Sequence, residues 1–407
     1  MLVCQVGLFA AMVAGPPPAS DSPRPAVDPP PVGTSYKPGA GLTVRSQDRR
    51  FALTVNLWAQ LLAAVRHDAT SSDGPATPLT LELRRARAVF SGNLFTPHIK
   101  YNLHLMFSPR DLAFKDGAPH RPPVFMYFLA FDRLRHLNIH AGFFFVPFSG
   151  QRVRPPPWLQ MIDVSNAIGE FTLDEDIGVQ LSSTGLEGLA QLRYAAGVFI
   201  GDGYDYARAG DFGLMYVGRL DITPRGSPAE LRETGQDRSP RPLLNLGTAY
   251  AFTDRDHRTR AINPAGFADG GTSSAHNLTA DMNLRWSGLS LLTDVYVRRG
   301  WRQAGDLTDQ DGAPLAVQAA RNGFGWTIQG GMFVPRTPLE LVARSSGVRP
   351  MRTVATSLAR LDEAGLGFNY YFHGHAMKLQ LDYIHTWGPA LPATRSDQAR
   401  LQLQMTF

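Results

Sequence analysis

The chain ends on Ala399-Arg400-Leu401-Gln402-Leu403-Gln404-Met405-Thr406-Phe407. In an extended strand successive side chains point to opposite faces. Ala399, Leu401, Leu403, Met405 and Phe407 therefore share one face, and Arg400, Gln402, Gln404 and Thr406 the other. The same two-faced pattern recurs upstream. Ile99, Tyr101, Leu103, Leu105 and Phe107 alternate with His98, Lys100, Asn102 and His104. Leu137, Ile139, Ala141, Phe143 and Phe145 alternate with polar or small residues, as do Leu278, Ala280, Met282, Leu284 and Trp286, and Met377, Leu379, Leu381 and Tyr383. Apolar faces of this kind need a cover, and no long helical pattern supplies one. A second sheet would make a β-sandwich; lipid would make a membrane barrel.

Working outward, segments of about ten residues centre near Val55, Arg85, Asn102, Phe128, Ala141, Gln180, Ala195, Tyr216, Thr248, Met282, Val295, Ile328, Leu341, Gly367, Leu381 and Leu403. Clusters of Gly, Pro, Asp and Ser separate them. The expected fold is all-β: a transmembrane antiparallel β-barrel of about sixteen strands, with an aqueous lumen. Trp158, Tyr204, Tyr206, Trp301, Tyr370, Tyr371, Phe372 and Trp387 lie near segment ends and are expected in interfacial girdles. Mean hydropathy is -0.16, and past the leader no apolar run reaches the length of a spanning helix.

Met1 to Gly15 is apolar and resembles a secretory leader. We expect a signal peptide over residues 1–19, a linker over 20–48 and the barrel over 49–407. The linker holds Pro23, Pro25, Pro29, Pro30, Pro31 and Pro38, a composition expected to stay extended. The one cysteine, Cys4, lies in the leader, so the mature chain has no disulfide, thiolate nucleophile or cysteine-held metal. No cofactor, metal site or nucleic-acid partner is expected. No G-x-S-x-G, P-loop or H-E-x-x-H motif occurs, and the chain is not expected to be an enzyme.

Several short motifs, in order, resemble the phosphate-selective porin O and P family. They are Leu83-Arg84-Arg85-Ala86-Arg87 followed by Ser91-Gly92; Ala141-Gly142-Phe143-Phe144-Phe145-Val146-Pro147-Phe148-Ser149; Gly367-Phe368-Asn369-Tyr370-Tyr371; Leu379-Gln380-Leu381-Asp382-Tyr383; and the closing strand. The resemblance spans roughly residues 50 to 407. It implies an outer-membrane porin of a Gram-negative bacterium, usually a homotrimer, with a loop folded into the lumen after the Pro147-Phe148-Ser149 strand end. It implies contact with outer-membrane lipid and lipopolysaccharide, and recognition of Phe407 by the barrel-assembly machinery. One departure matters: only Lys37, Lys100, Lys115 and Lys378 are present, against 36 arginines, so a lysine-rich phosphate site is not evident.

With the apolar face outward, Arg85, Arg87, Lys100, Arg193, Arg285, Arg344, Lys378 and Arg400 face the lumen. Facing acids are expected to be fewer: Asp281, Glu340, Glu363 and Asp382. The stretch from Ser149 to Glu175, with Arg152, Arg154, Pro155, Pro156, Pro157 and Trp158, is too long for a turn and is read as the constriction loop. A basic lumen concentrates anions, so passive diffusion of small hydrophilic or anionic solutes is the expected function. The rival reading of each arginine is pairing with an acid to stiffen the wall. His373 and His375 flank a glycine in an expected solvated turn, with metal binding as the lesser reading. Two other classes stay open. One is a barrel-borne hydrolase whose groups converge from distant strands. The other is a secreted β-sandwich that binds glycans or proteins.

Overall fold

The alternating segments pair edge to edge into a single antiparallel sheet that closes on itself. The computed structural model describes residues 32–69, 78–114, 118–134, 136–186, 191–203, 213–227, 232–262, 265–391 and 394–407. The expected leader with Cys4, and Lys115, Tyr204 and Tyr206, lie outside these. The strands are β1 (Val32–Lys37), β2 (Gly41–Ser46), β3 (Ala52–Asp68), β4 (Leu79–Asn93), β5 (Ile99–Met106) and β6 (Val124–Leu134). Then follow β7 (Leu137–Phe145), β8 (Glu175–Ser182), β9 (Arg193–Phe199), β10 (Met215–Arg225), β11 (Leu243–Asp256) and β12 (Thr272–Trp286). The chain finishes with β13 (Leu289–Gln303), β14 (Gly323–Phe333), β15 (Leu339–Pro350), β16 (Leu361–His373), β17 (Met377–Trp387) and β18 (Arg395–Thr406). Strands β3 to β18 each pair with the next, and β18 pairs with β3, giving a closed barrel of sixteen strands. A β-sandwich is overturned by that closure: one sheet covers no second sheet.

Alternation decides which side of the wall each residue takes. Along β18, Leu401 is 43% exposed while its neighbours Gln402 and Gln404 are wholly buried inside the barrel. Leu57, Leu61 and Val65 of β3 face out while Trp58, Gln60 and Leu62 face in. Outside, Tyr216, Leu278, Val295, Ile328 and Leu366 continue an apolar band suited to a hydrocarbon layer. Trp301, Tyr370 and Phe372 stand outward near strand ends, as girdle residues do. Trp158 and Tyr371 do not: the first sits in the inward loop, and the second points inward and is buried.

The linker expectation fails for residues 32–46. These form the hairpin β1–β2, turned at Gly39 and Gly41, both with positive φ. β2 pairs with Ala52–Val55 of β3, whereas β18 pairs with β3 only from Trp58 onward. The hairpin thus fills the step that the sheared closure leaves below the end of β18. At that step Phe407 and Leu57 exchange backbone hydrogen bonds of 2.7 and 2.8 Å, and the Phe407 ring faces out. Deleting Phe407 removes both bonds and the last outward ring. We expect several-fold less heat-modifiable barrel in membranes from cells expressing the truncated chain; an unchanged yield would refute a role for Phe407 in assembly.

Candidate functional site: the lumen and its inward loop

The barrel has a near end, which holds both the β1–β2 hairpin and Phe407, and a far end. The connection from Val146 to Asp174 leaves β7 at the far end and runs down inside the barrel. At the bottom, Pro157 O accepts from His375 Nδ1 (3.1 Å) and Gln404 Nε2 (3.2 Å), and Leu159 O accepts from Lys378 Nζ (2.7 Å). The loop then climbs. Gln160 Nε2 donates to Ser290 Oγ (2.6 Å) and Glu340 Oε1 (2.7 Å). Ser165 bonds Thr327 and caps the short helix α1 (Asn166–Phe171), whose Ile168 N–H donates to Ser165 Oγ. Ala167, Ile168 and Phe171 pack with Phe148, Val217, Ala251, Tyr296 and Val348 into an apolar core inside the barrel. Phe171 stacks on Tyr296 at 6.0 Å. The wall yields room for this traffic by glycine. A Cβ on Gly331 would meet Gln160 Nε2 at 2.3 Å, and one on Gly367 would meet Met161 Sδ at 2.8 Å.

Halfway along, Asp163 gathers the charge. Its carboxylate takes Arg84 Nη2 (2.6 Å), Arg85 Nη2 (3.0 Å) and Arg400 Nη1 (2.7 Å). Its backbone carbonyl takes Arg344 Nη1 at 2.7 Å. Burial by itself would raise the carboxyl's pKa, but Arg84, Arg400 and Arg85 outweigh it and hold Asp163 well below the usual carboxylate range. Arg84 was not foreseen as a lumen residue, because simple alternation sends it outward. A β-bulge explains it: Gln60 pairs with Arg85 and Leu61 with Leu83, leaving Arg84 unpaired in the ladder and turned inward beside Arg85.

The remaining expected residues all lie on the inner side, and each has an anionic or carbonyl partner. Arg87 is doubly bonded to Asp111 (2.9 and 3.0 Å), and Lys100 pairs with Asp132. Arg344 meets Glu363 at 2.6 Å, and Arg400 grips both oxygens of Asp382 at 2.7 Å. Arg285 donates to Thr234 O at 2.9 Å. Arg193 donates to Asn245 Oδ1 at 2.9 Å, with Asp221 at 3.8 Å. Arg152 stands at the root of the loop, where it bonds Asp174 (2.5 Å) and Glu175 (3.3 Å), tying one stem to the other. Arg154 lies 3.8 Å from Glu233.

The expectation of few inward acids is overturned. Asp221 and Asp294 are inward on strands, and Asp111, Asp163, Glu170 and Glu233 enter from connections between strands. Alternation along strands cannot register a carboxylate carried in by a loop. Most basic groups therefore serve as the stiffening pairs of the rival reading.

Glu233 belongs to a second inward segment. The connection between β10 and β11, residues 226–242, starts at the near end, where neighbouring turns such as 287–288 and 374–376 are short. From Arg232 on it folds up into the barrel. Glu233, fully buried, accepts from Gln151 Nε2 (2.7 Å) and from the Gln160 N–H (2.8 Å) of the loop. Arg232 O accepts from Asn283 and Thr234 O from Arg285. His375 joins the two segments, with Nδ1 on Pro157 O and Nε2 on Thr234 Oγ1. The expected solvated His373–His375 turn is thus corrected: His375 is enclosed by both segments, and burial pushes it down to about 3. Among the described residues no cluster of three metal-ligating side chains occurs.

What the two segments leave open is a cavity of about 360 Å³ along the inner wall of β6 to β10, bordered by Phe128, Phe144, Gln180, Ser182, Arg193 and Asp221 among others. The fold is shared with outer-membrane porins. The chain matches a loop-deletion mutant of OmpT, an outer membrane protein of Vibrio cholerae, with TM-score 0.54 and 11% identity over 87% of this chain and 99% of that one. It matches an anion-selective porin from Comamonas acidovorans with TM-score 0.53 and 10% identity, over 87% and 100%. It matches the outer membrane channel DcaP of Acinetobacter baumannii with TM-score 0.52 and 11% identity, over 87% and 97%. No protein-family model matches the chain, and no curated protein matches it in sequence. The shared fold accounts for the closed wall and its polar inner face.

Two outcomes test this site. Asp163→Asn leaves three guanidinium groups facing a neutral amide, a loss of order 3 kcal/mol for a broken buried ion pair. We expect the barrel to form and the loop to loosen, seen as larger and noisier single-channel currents in planar bilayers; unchanged currents would show that Asp163 does not hold the loop. The second concerns acid. His375 has a docked pKa near 3 against an ordinary 6.5, so the undocked state takes up the proton first. Docking at the near end is at full strength above about pH 6.5 and weakens as pH falls towards 3. Asp163, depressed instead, keeps its pairs until well below pH 3.8. Current noise should rise from pH 6.5 to 4.5, and His375→Gln should flatten that rise; the same pH profile in the variant would refute the assignment.

Proposed function

We propose that the chain is a porin of a Gram-negative outer membrane, with the near end in the periplasm, through which small hydrophilic solutes diffuse passively. The observation that carries this is the closed sixteen-stranded wall, apolar outside and polar inside, with a loop folded into its lumen beside a remaining cavity. We further propose a preference for anions. The inner wall is close to balanced, so the preference rests on the far mouth. At the far mouth Arg260, Arg298 and Arg321 converge on the carboxylate of Glu170, at 3.6, 3.3 and 2.6 Å, with Asp256 also acting on Arg298. A positive mouth over low-dielectric walls raises the local concentration of anions. The Comamonas acidovorans neighbour is titled an anion-selective porin, which accords with this reading.

Selectivity for phosphate itself has little to support it. Lys378 is buried under the loop, Lys100 is paired with Asp132, and Lys37 lies on β1, outside the barrel wall. A homotrimer, contact with lipopolysaccharide, and insertion by the barrel-assembly machinery complete the proposal, as the family resemblance implies. No observation favours the hydrolase: inward His140 stacks on Phe128 at 5.6 Å and His104 on Phe125 at 6.1 Å. Reversal potentials in a KCl gradient test the reading. At low salt the sign should be that of an anion-selective channel, and it should weaken near 1 M, where the Debye length is ~3 Å. A cation-selective reversal potential would overturn the anion preference and leave the porin standing.

A further inference from the structure

On the outer surface, near the far end, three neighbouring strands bring an arginine and a histidine side by side. His276 of β12 stands directly opposite Arg299 of β13, and Phe252 of β11 stands opposite His276 on the other side. His276 and Arg299 both point outward and are exposed. Opposed residues on one face of a sheet have Cβ atoms ~5 Å apart, so the imidazole and the guanidinium share one patch. Towards the near end the next outward pairs are Leu278 with Val297, then Ala280 with Val295, an apolar column beneath the two polar groups.

Rings fix the histidine. It lies 5.1 Å from Phe252 and 5.7 Å from Trp301, and its Nδ1 is 2.7 Å from the Tyr250 hydroxyl. A neutral ring that accepts from Tyr250 at Nδ1 carries its proton on Nε2, which is then a free donor. The Arg299 side chain has neither ion pair nor hydrogen bond among the described residues. The acids of this outer rim are engaged elsewhere. Asp254 takes Arg255 (3.2 Å) and Ser274 (3.1 Å), and Asp362 takes Arg349 and Arg360 at 2.5 and 2.8 Å.

An unpaired arginine on the lipid side of a barrel is costly in hydrocarbon and far less so at the interface. Arg299 stands where the apolar column gives way to Trp301 of the girdle, so it lies at head-group depth. With the near end in the periplasm, the head groups at this depth are those of lipopolysaccharide, which carry phosphate. A guanidinium N–H matches a phosphate oxygen in charge and geometry. We propose that His276 and Arg299 form a docking place for a phosphate of lipopolysaccharide, with its acyl chains lying along Leu278, Val295 and Val297. The inference rests on the porin reading, and turns a general contact with this lipid into one defined site.

Native mass spectrometry of the full chain, refolded in detergent micelles, tests it with bisphosphorylated lipid A as the probe. The unaltered chain should bind lipid A, and removing both phosphates from the probe should weaken binding by about fivefold or more. Arg299→Gln should cause a loss of about the same size for the intact probe. His276→Phe keeps the ring stack and removes the donor, and should cost about twofold to threefold. Arg395→Gln removes another exposed arginine, at the far end of β18, and should leave the affinity nearly unchanged. Heat-modifiable migration checks that each variant has formed the barrel. Equal binding of the two probes, or equal affinity in Arg299→Gln and the unaltered chain, overturns the inference. So does an equal loss in Arg395→Gln, which would mark a diffuse attraction and not a site. Any of these outcomes with normal single-channel currents spares the porin. A chain that inserts and passes no ions overturns the porin reading, on which the inference rests.

Discussion

Where the sheet closes, β18 lies against β3, and β3 against β4. Asp163 reaches across this seam from the inside, holding Arg400 of β18 with one oxygen and Arg84 and Arg85 of β4 with the other. A lone arginine inside a barrel is expensive to keep dry, and three close together repel one another. The carboxylate turns that repulsion into a clasp, fixing the descent of the loop at mid-height. The loop's lower bonds to Lys378 and Gln160's partners, and its upper apolar core around Phe171, follow from where Asp163 is held. The seam and the constriction are thus one arrangement of charge.

The two inward segments divide the lumen unevenly. From β12 round to β18 the interior is filled by the loop and by Arg232–Glu233, and residues such as Thr327, Gln329, Gln402 and Gln404 are buried among amides and carbonyls. From β6 to β10 part of the wall, around Phe128, His140, Gln180 and Arg193, borders open space. The open space beside the loop thus lies along one wall and not on the barrel axis. The net charge of the chain, +5, says little about this interior, because most of its inner arginines are paired.

Much of this was legible in the sequence. The weakly alternating segments at Phe128 and Gln180 are strands like the rest, since in a closed barrel each strand is required by its neighbours even where its own pattern is poor. The inner face of Arg285, Arg344, Lys378 and Arg400 followed from period-two alternation, because β12, β15, β17 and β18 run without a bulge. Arg84 escaped because one inserted residue reverses the count. Asp163, Glu170 and Glu233 escaped because their position depends on the path of a connection, which no periodicity records. A signal existed in the length of residues 226–242 among otherwise short turns at that end. Another lay in inward glycines such as Gly331 and Gly367, which mark where a second backbone comes close. The N-terminal hairpin was masked by the prolines that precede it.

The loop between β7 and β8 touches β4 on one side of the seam and β18 on the other, and reaches from the far mouth to the near end. It therefore works as a strut set inside the wall: pulling β18 away from β3 would also break the loop's hold on Arg400, so the closure of the sheet and the seating of the loop stand or fall together.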